Sequence, residues 1–132
     1  MHFYTLENSL VLLDQEKDIE WSIRELIYRN YEINTTVQNT DIPLLLQKNY
    51  QEYKNSSLDK LTQLTNAILR RLVDNGMLTS EGQHDAEITY KISSKVDRYQ
   101  CDECNQISYI GEQEKRKCFS CESTNLRERN VH

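Results

Sequence analysis

The sequence predicts an α+β fold in which a mainly helical domain is followed by a small tail that needs a covalent or metal staple. Three observations lead there. Apolar residues recur at helical spacing through the first half of the chain. The stretch SSLDKLTQLTNAILRRLVDNG runs to a glycine and then gives way to alternating apolar residues. All four cysteines fall in CDECNQISYIGEQEKRKCFSC, residues 101–121. A chain of 132 residues can bury one compact core, but an appendage of roughly 30 to 40 residues cannot hold itself together by apolar burial alone. The expected division is an N-terminal extension over 1–17, a helical domain over 18–95 and the cysteine tail over 96–132.

The elements follow in order. Residues 1–17 contain LVLLD, which at this length reads as strand or helix. Ile19, Ile23, Leu26, Ile27 and Tyr31 share one helical face, with Trp21 and Tyr28 flanking it, and make a first core helix. Residues 34–40 are polar and read as a loop. Asp41 is placed to cap a second helix, with Pro43 in its first turn and Leu46, Tyr50 and Tyr53 at helical spacing. Ser56-x-x-Asp59 has the form of a helix N-terminal cap. Leu58, Leu61, Leu64, Ile68, Leu69, Leu72 and Val73 then mark a third helix, which Asn75-Gly76 ends with glycine in the left-handed position. Met77 to Ser80 begins a strand, SEGQHDAE supplies a turn, and Ile88, Tyr90 and Ile92 alternate as a half-buried strand does. Leu61, Ile68, Leu72 and Ile88 are the expected core. The eight tyrosines fit core and groove packing better than base stacking.

The cysteines carry the chemistry. The chain has no stretch near the roughly 20 apolar residues of a membrane span, and its start, MHFYTLENSLVLL, lacks the basic region of a signal peptide. An intracellular, reducing compartment is the expectation. There, Cys-x2-Cys-x13-Cys-x2-Cys is better explained by a metal than by disulfides. Each Cys-x-x-Cys turn sets two sulfurs about one tetrahedral edge apart, and two such turns complete a four-sulfur shell. Cys101, Cys104, Cys118 and Cys121 are the expected ligands of one structural Zn2+; iron on the same ligands, or a pair of redox disulfides, are the alternatives. With four protein thiolates bound, no position is left open for water or substrate, so the site is expected to be structural rather than catalytic.

Over about residues 98–130 the cluster resembles a zinc ribbon, with hairpin strands at Ile107 to Ile110 and Leu126 to Arg129. It departs from that pattern where ribbon knuckles usually carry glycine: Asn105 and Glu122 stand there, and Glu adopts a left-handed backbone less readily than Asn. An irregular second knuckle is expected. A helix that stops at glycine and runs into a two-stranded hairpin is the order of the last helix and wing of a winged helix, and TNAILRRLVDNGML looks like its recognition helix and first wing strand. A winged helix followed directly by a four-cysteine ribbon is similar in layout to archaeal transcription factor E and the large subunit of its eukaryotic counterpart. The resemblance covers roughly residues 56–125 and implies a factor recruited by polymerase and lying close to promoter DNA.

Charge limits how far that implication goes. The chain carries 21 acidic against 16 basic residues. The local basic excess is confined to Lys54, Lys60, Arg70 and Arg71, while the presumed wing holds Glu81, Asp85 and Glu87. Phosphate contact dominates DNA affinity, so such a patch supports weak, salt-sensitive binding of duplex DNA by the chain alone. If DNA is read, Thr65, Asn66, Arg70, Arg71 and Lys60 are the candidate contacts; a solvated helix face is the plain alternative for the two arginines. His2, His84 and His132 lie far apart and read as surface residues, no glycine-rich phosphate loop is present, and the carboxylates are scattered. No catalytic constellation or small-molecule site is expected. Two readings result: an accessory subunit that docks on protein partners within a transcription, replication or DNA-defence machine, or a regulator reading duplex DNA with residues 65–75.

Overall fold

The computed structural model describes the backbone of residues 2–131 and the side chains of residues 15–131. The chain runs α1 (His2–Asn30), β1 (Thr36–Gln38), α2 (Asp41–Asn49), α3 (Leu58–Asp74), β2 (Leu78–His84), β3 (Glu87–Ile92), β4 (Val96–Cys101), β5 (Ile107–Gly111) and β6 (Leu126–Glu128). It is an α+β arrangement of helices and two small antiparallel sheets, as expected. No described helix is long and apolar enough to cross a membrane. The side chains of His2 and His132 lie outside the described residues.

Helix α1 runs across the expected boundary at residue 17. The first core helix reaches back to His2 without a break, because nothing between residues 2 and 30 is a proline or glycine. Ile19, Ile23, Leu26 and Ile27 are buried on it, as their spacing predicts.

The segment 34–40, expected as a loop, holds β1. Thr36 and Val37 pair with Lys91 and Tyr90 of β3. Three residues are too few to show an alternation, so the strand is visible only through its partner. In α2, Asp41 lies inside the first turn rather than capping it, and Thr40 at the cap position makes no side-chain cap bond. The cap of α3 is Ser57, whose Oγ accepts from the Lys60 backbone N–H at 3.5 Å, rather than Ser56. Leu61, Ile68, Leu69 and Leu72 are buried, whereas Leu58, on the first turn, is 45% exposed. Gly76 ends the helix at φ 81°, in the left-handed region where glycine is unstrained.

Strand β2 extends through most of what reads as a turn, reaching His84, and the reversal is tight, with Asp85 at φ 55°. The pairing shifts register between Ser80 and Gly82. Ile88 is half-buried against the core rather than inside it. This sheet has the order β1-β3-β2, and the second has the order β5-β4-β6. Its central strand β4 was not foreseen, since VDRYQC is short and half polar; Tyr99 pairs with Ser108 on one side and with Glu128 on the other.

The cysteine tail shares its core with the rest of the chain. Val96 and Tyr109 belong to the same buried cluster as Ile23, Ile27, Leu72 and Met77. A long α1 supplies both surfaces, one face to α2 and α3 and the adjoining face to the second sheet.

Candidate metal centre and the surface of helix α3

The four sulfurs of Cys101, Cys104, Cys118 and Cys121 all lie within 4.8 Å of one another. Cys101 and Cys121 are 3.6 Å apart, and Cys104 and Cys118 are 3.5 Å apart. Metal–sulfur bonds of about 2.3 Å in a tetrahedron require sulfur separations of about 3.8 Å, so the cluster is already close to the dimensions of a four-thiolate site.

Two matching turns bring them there. Cys101 ends β4, and the Asn105 N–H closes the first turn on the Cys101 carbonyl at 3.0 Å; the Glu122 N–H closes the second on the Cys118 carbonyl at 2.9 Å. Asn105 and Glu122 both take the left-handed backbone, at φ 62° and 64°. The second turn is therefore regular, contrary to expectation. A non-glycine residue in that region costs roughly 1–2 kcal/mol, and the backbone bond across the turn helps to offset it. The exposed Glu122 side chain meets Lys117 at 3.8 Å.

Backbone N–H groups aimed at sulfur shape the ionisation of the thiols. Those of Cys104 and Glu103 draw Cys101 below its ordinary value. Burial pushes Cys118 up, but the N–H groups of Cys121 and Ser120 outweigh it and bring this thiol down to about 6. At Cys121 the Ser123 N–H pulls downward, yet burial and the neighbouring sulfurs drive it up to about 12. Cys104 is also raised. Backbone N–H groups thus favour the thiolate at Cys101 and Cys118, while burial and neighbouring sulfurs oppose it at Cys104 and Cys121. Ser108, fully buried on β5, accepts the Phe119 N–H at 2.9 Å, and its hydroxyl lies 4.0 Å from Cys118 Sγ. This support was not foreseen; a serine between Ile107 and Tyr109 carries no signal of its own.

The expected nucleic-acid contacts all lie on α3 but differ in exposure and engagement. Thr65 is completely buried, and its Oγ1 has no hydrogen-bond partner, so it faces the core rather than solvent. Its spacing from Leu61, Ile68 and Leu72 sets it on the apolar face of α3. Asn66 accepts from Asn39 Nδ2 at 2.9 Å. Arg71 is bound to Glu16 at 2.7 Å and to Glu20 at 3.2 Å, both on α1. Arg70 and Lys60 are exposed, and so are Asp59 and Asp74 on the same helix. In the hairpin Glu81 meets Lys91 at 3.4 Å, while Asp85 and Glu87 are exposed.

Asn39 is a structural residue that the sequence did not mark. Buried in its side chain, it donates to Asn66 and to the Ala86 carbonyl and accepts the Ile88 N–H at 2.9 Å. It ties α3 to the hairpin.

The fold and site define a small α+β chain with a cluster of four thiols close enough together that they could hold a metal ion. No protein-family model, curated protein or solved structure matches it.

Proposed function

We propose that the chain is a non-catalytic, zinc-holding accessory subunit of a nucleic-acid machine in transcription, replication or DNA defence, docking on protein partners through its helical domain and its cysteine tail. Zinc is favoured because four cysteine sulfurs at tetrahedral spacing suit it and leave no open coordination position. The reading goes with a reducing, intracellular compartment, where the thiols stay available to metal.

The order helix, strand, helix, helix, hairpin with a β1-β3-β2 sheet supports the winged-helix reading of the first part. The matched turns at Cys101–Cys104 and Cys118–Cys121, together with the β5-β4-β6 sheet, support the zinc-ribbon reading of the second. Both agree with the resemblance in layout to archaeal transcription factor E.

The observation that favours protein docking over DNA reading is the engagement of Arg71 by Glu16 and Glu20. It withdraws one of the two helix arginines from phosphate, while Thr65 is inside the core and Asp59 and Asp74 flank the exposed face. A polyanion is bound mainly through its phosphates, so this surface offers it little. The exposed Arg70 and Lys60 favour the second reading, a regulator of duplex DNA.

An electrophoretic shift with arbitrary duplex DNA across a salt series separates the two. The expected result is no tight complex at about 150 mM salt and weak binding only at low salt. Nanomolar, sequence-specific binding that is lost in the Arg70→Ala, Arg71→Ala double variant would establish the regulator instead.

A further inference from the structure

Helix α1 packs against both β4 and β5, but most side-chain hydrogen bonds between α1 and the tail go to the segment that lies between the two cysteine turns. We propose that metal occupancy of the cluster controls the seating of residues 107–114 on α1 and on the end of α3, so that this segment is a metal-dependent cover over Trp21, Arg24 and Tyr28. This rests on the reading that the cluster holds zinc.

Trp21 Nε1 donates to the Ile107 carbonyl at 2.7 Å, and its ring meets Tyr109 edge-on with centroids 5.5 Å apart. The Tyr28 ring also packs on Tyr109, with centroids 5.1 Å apart. Arg24 donates to the Tyr109 carbonyl at 2.8 Å and grips Glu114 with two hydrogen bonds of 2.7 Å each. Glu114 also accepts from Gly111 N–H at 2.9 Å and from Asn75 Nδ2, just beyond α3, at 3.1 Å. At Gly76 an added Cβ would collide with the Gln113 side chain, so the turn after β5 sits directly on the end of α3.

Ile107, Tyr109, Gln113 and Glu114 all fall within residues 105–117, the loop that Cys104 and Cys118 close when they share a metal. Closing that loop removes much of the freedom that seating it would otherwise cost. The polar part of the contact does not hold the segment by itself, because a buried ion pair such as Arg24 with Glu114 recovers little beyond its own desolvation. It does fix where the segment sits. The effect extends further, since Arg24 also binds Glu20 at 3.1 Å and Glu20 binds Arg71 of α3. Binding linkage is reciprocal: if the metal favours the seated segment, the seating contacts must tighten the metal, although none of them is a ligand.

The test uses the full chain loaded with zinc. Trp21 is the only tryptophan, so all tryptophan emission comes from a residue of this contact. Withdrawal of the metal by a chelator under reducing conditions should shift that emission to the red and remove the amide protection of residues 107–111. Glu114→Gln, and separately the milder Trp21→Phe, should weaken zinc affinity measured by chelator competition by about fivefold or more, with the helical circular dichroism retained. Unchanged Trp21 emission and protection after metal withdrawal, or wild-type zinc affinity in both variants, would overturn the coupling while leaving the zinc reading intact. A wild-type chain that takes up no zinc would overturn both.

Discussion

The two sheets are of equal strand number and are held in different ways. The β1-β3-β2 sheet buries Val37, Leu78, Tyr90 and Ile92 in the common core and is joined to α3 by the Asn39 amide. The β5-β4-β6 sheet lends that core only Val96 and Tyr109 as buried members, and its far end is gathered around four thiols. Where side chains can reach a shared apolar interior, burial organises a small sheet; where they cannot, a metal-sized cluster takes its place. Helix α1 links the two regimes, since Ile23 and Ile27 pack inward while Trp21, Arg24 and Tyr28 meet β5 and the turn after it.

Removing a cysteine of the cluster should give the largest effect on this contrast. Cys104→Ser should abolish zinc binding and, in hydrogen exchange, erase protection across β5 and β6, because the binding energy of such a metal is folding energy. Because Tyr109 and Val96 sit in the common core, the thermal midpoint of the helices should fall as well. A helical region that keeps its midpoint would mean that the two parts fold independently.

The next effect belongs to the other regime. Leu72→Ala, at a fully buried position on α3, should cost about 2–5 kcal/mol in denaturant unfolding. A loss below about 1 kcal/mol would mean that the interior around it collapses to fill the space.

The smallest concerns the joint between the regimes. Burial pushes the Glu114 carboxyl up, but the hydrogen bonds and charge of Arg24 outweigh it and hold it below the usual carboxylate range. Its contribution is therefore complete above the unfolded value of about 4.3 and is lost as pH falls through the lower folded value. Glu114→Gln should be less stable than the native chain by about 1–3 kcal/mol at pH 7, and the gap should narrow below about pH 4. A gap independent of pH would assign the loss to packing rather than to charge.

How much of this was legible depended on whether the signal was local. The four cysteines, the Gly76 stop and the apolar face through Leu61, Ile68 and Leu72 are each set by spacing along the chain, and all were readable. β1 and β4 were not, because each depends on pairing with strands remote in sequence. Thr65 reads as a contact of the presumed recognition helix, while its helical phase, in step with Leu61, Ile68 and Leu72, puts it inside. Arg71 read as a free base because Glu16 and Glu20 are more than 50 residues away in the chain. Glu122 shows the reverse, an unfavourable residue that the closing backbone bond of its turn holds in the left-handed conformation.

The central claim is that the cysteine cluster is a zinc site that organises the tail. Native mass spectrometry and metal analysis of protein purified without added metal test it most directly. The account predicts about one zinc per chain with all four thiols protected from alkylation until the metal is removed. A folded chain without metal, its tail closed by two disulfides, would contradict it.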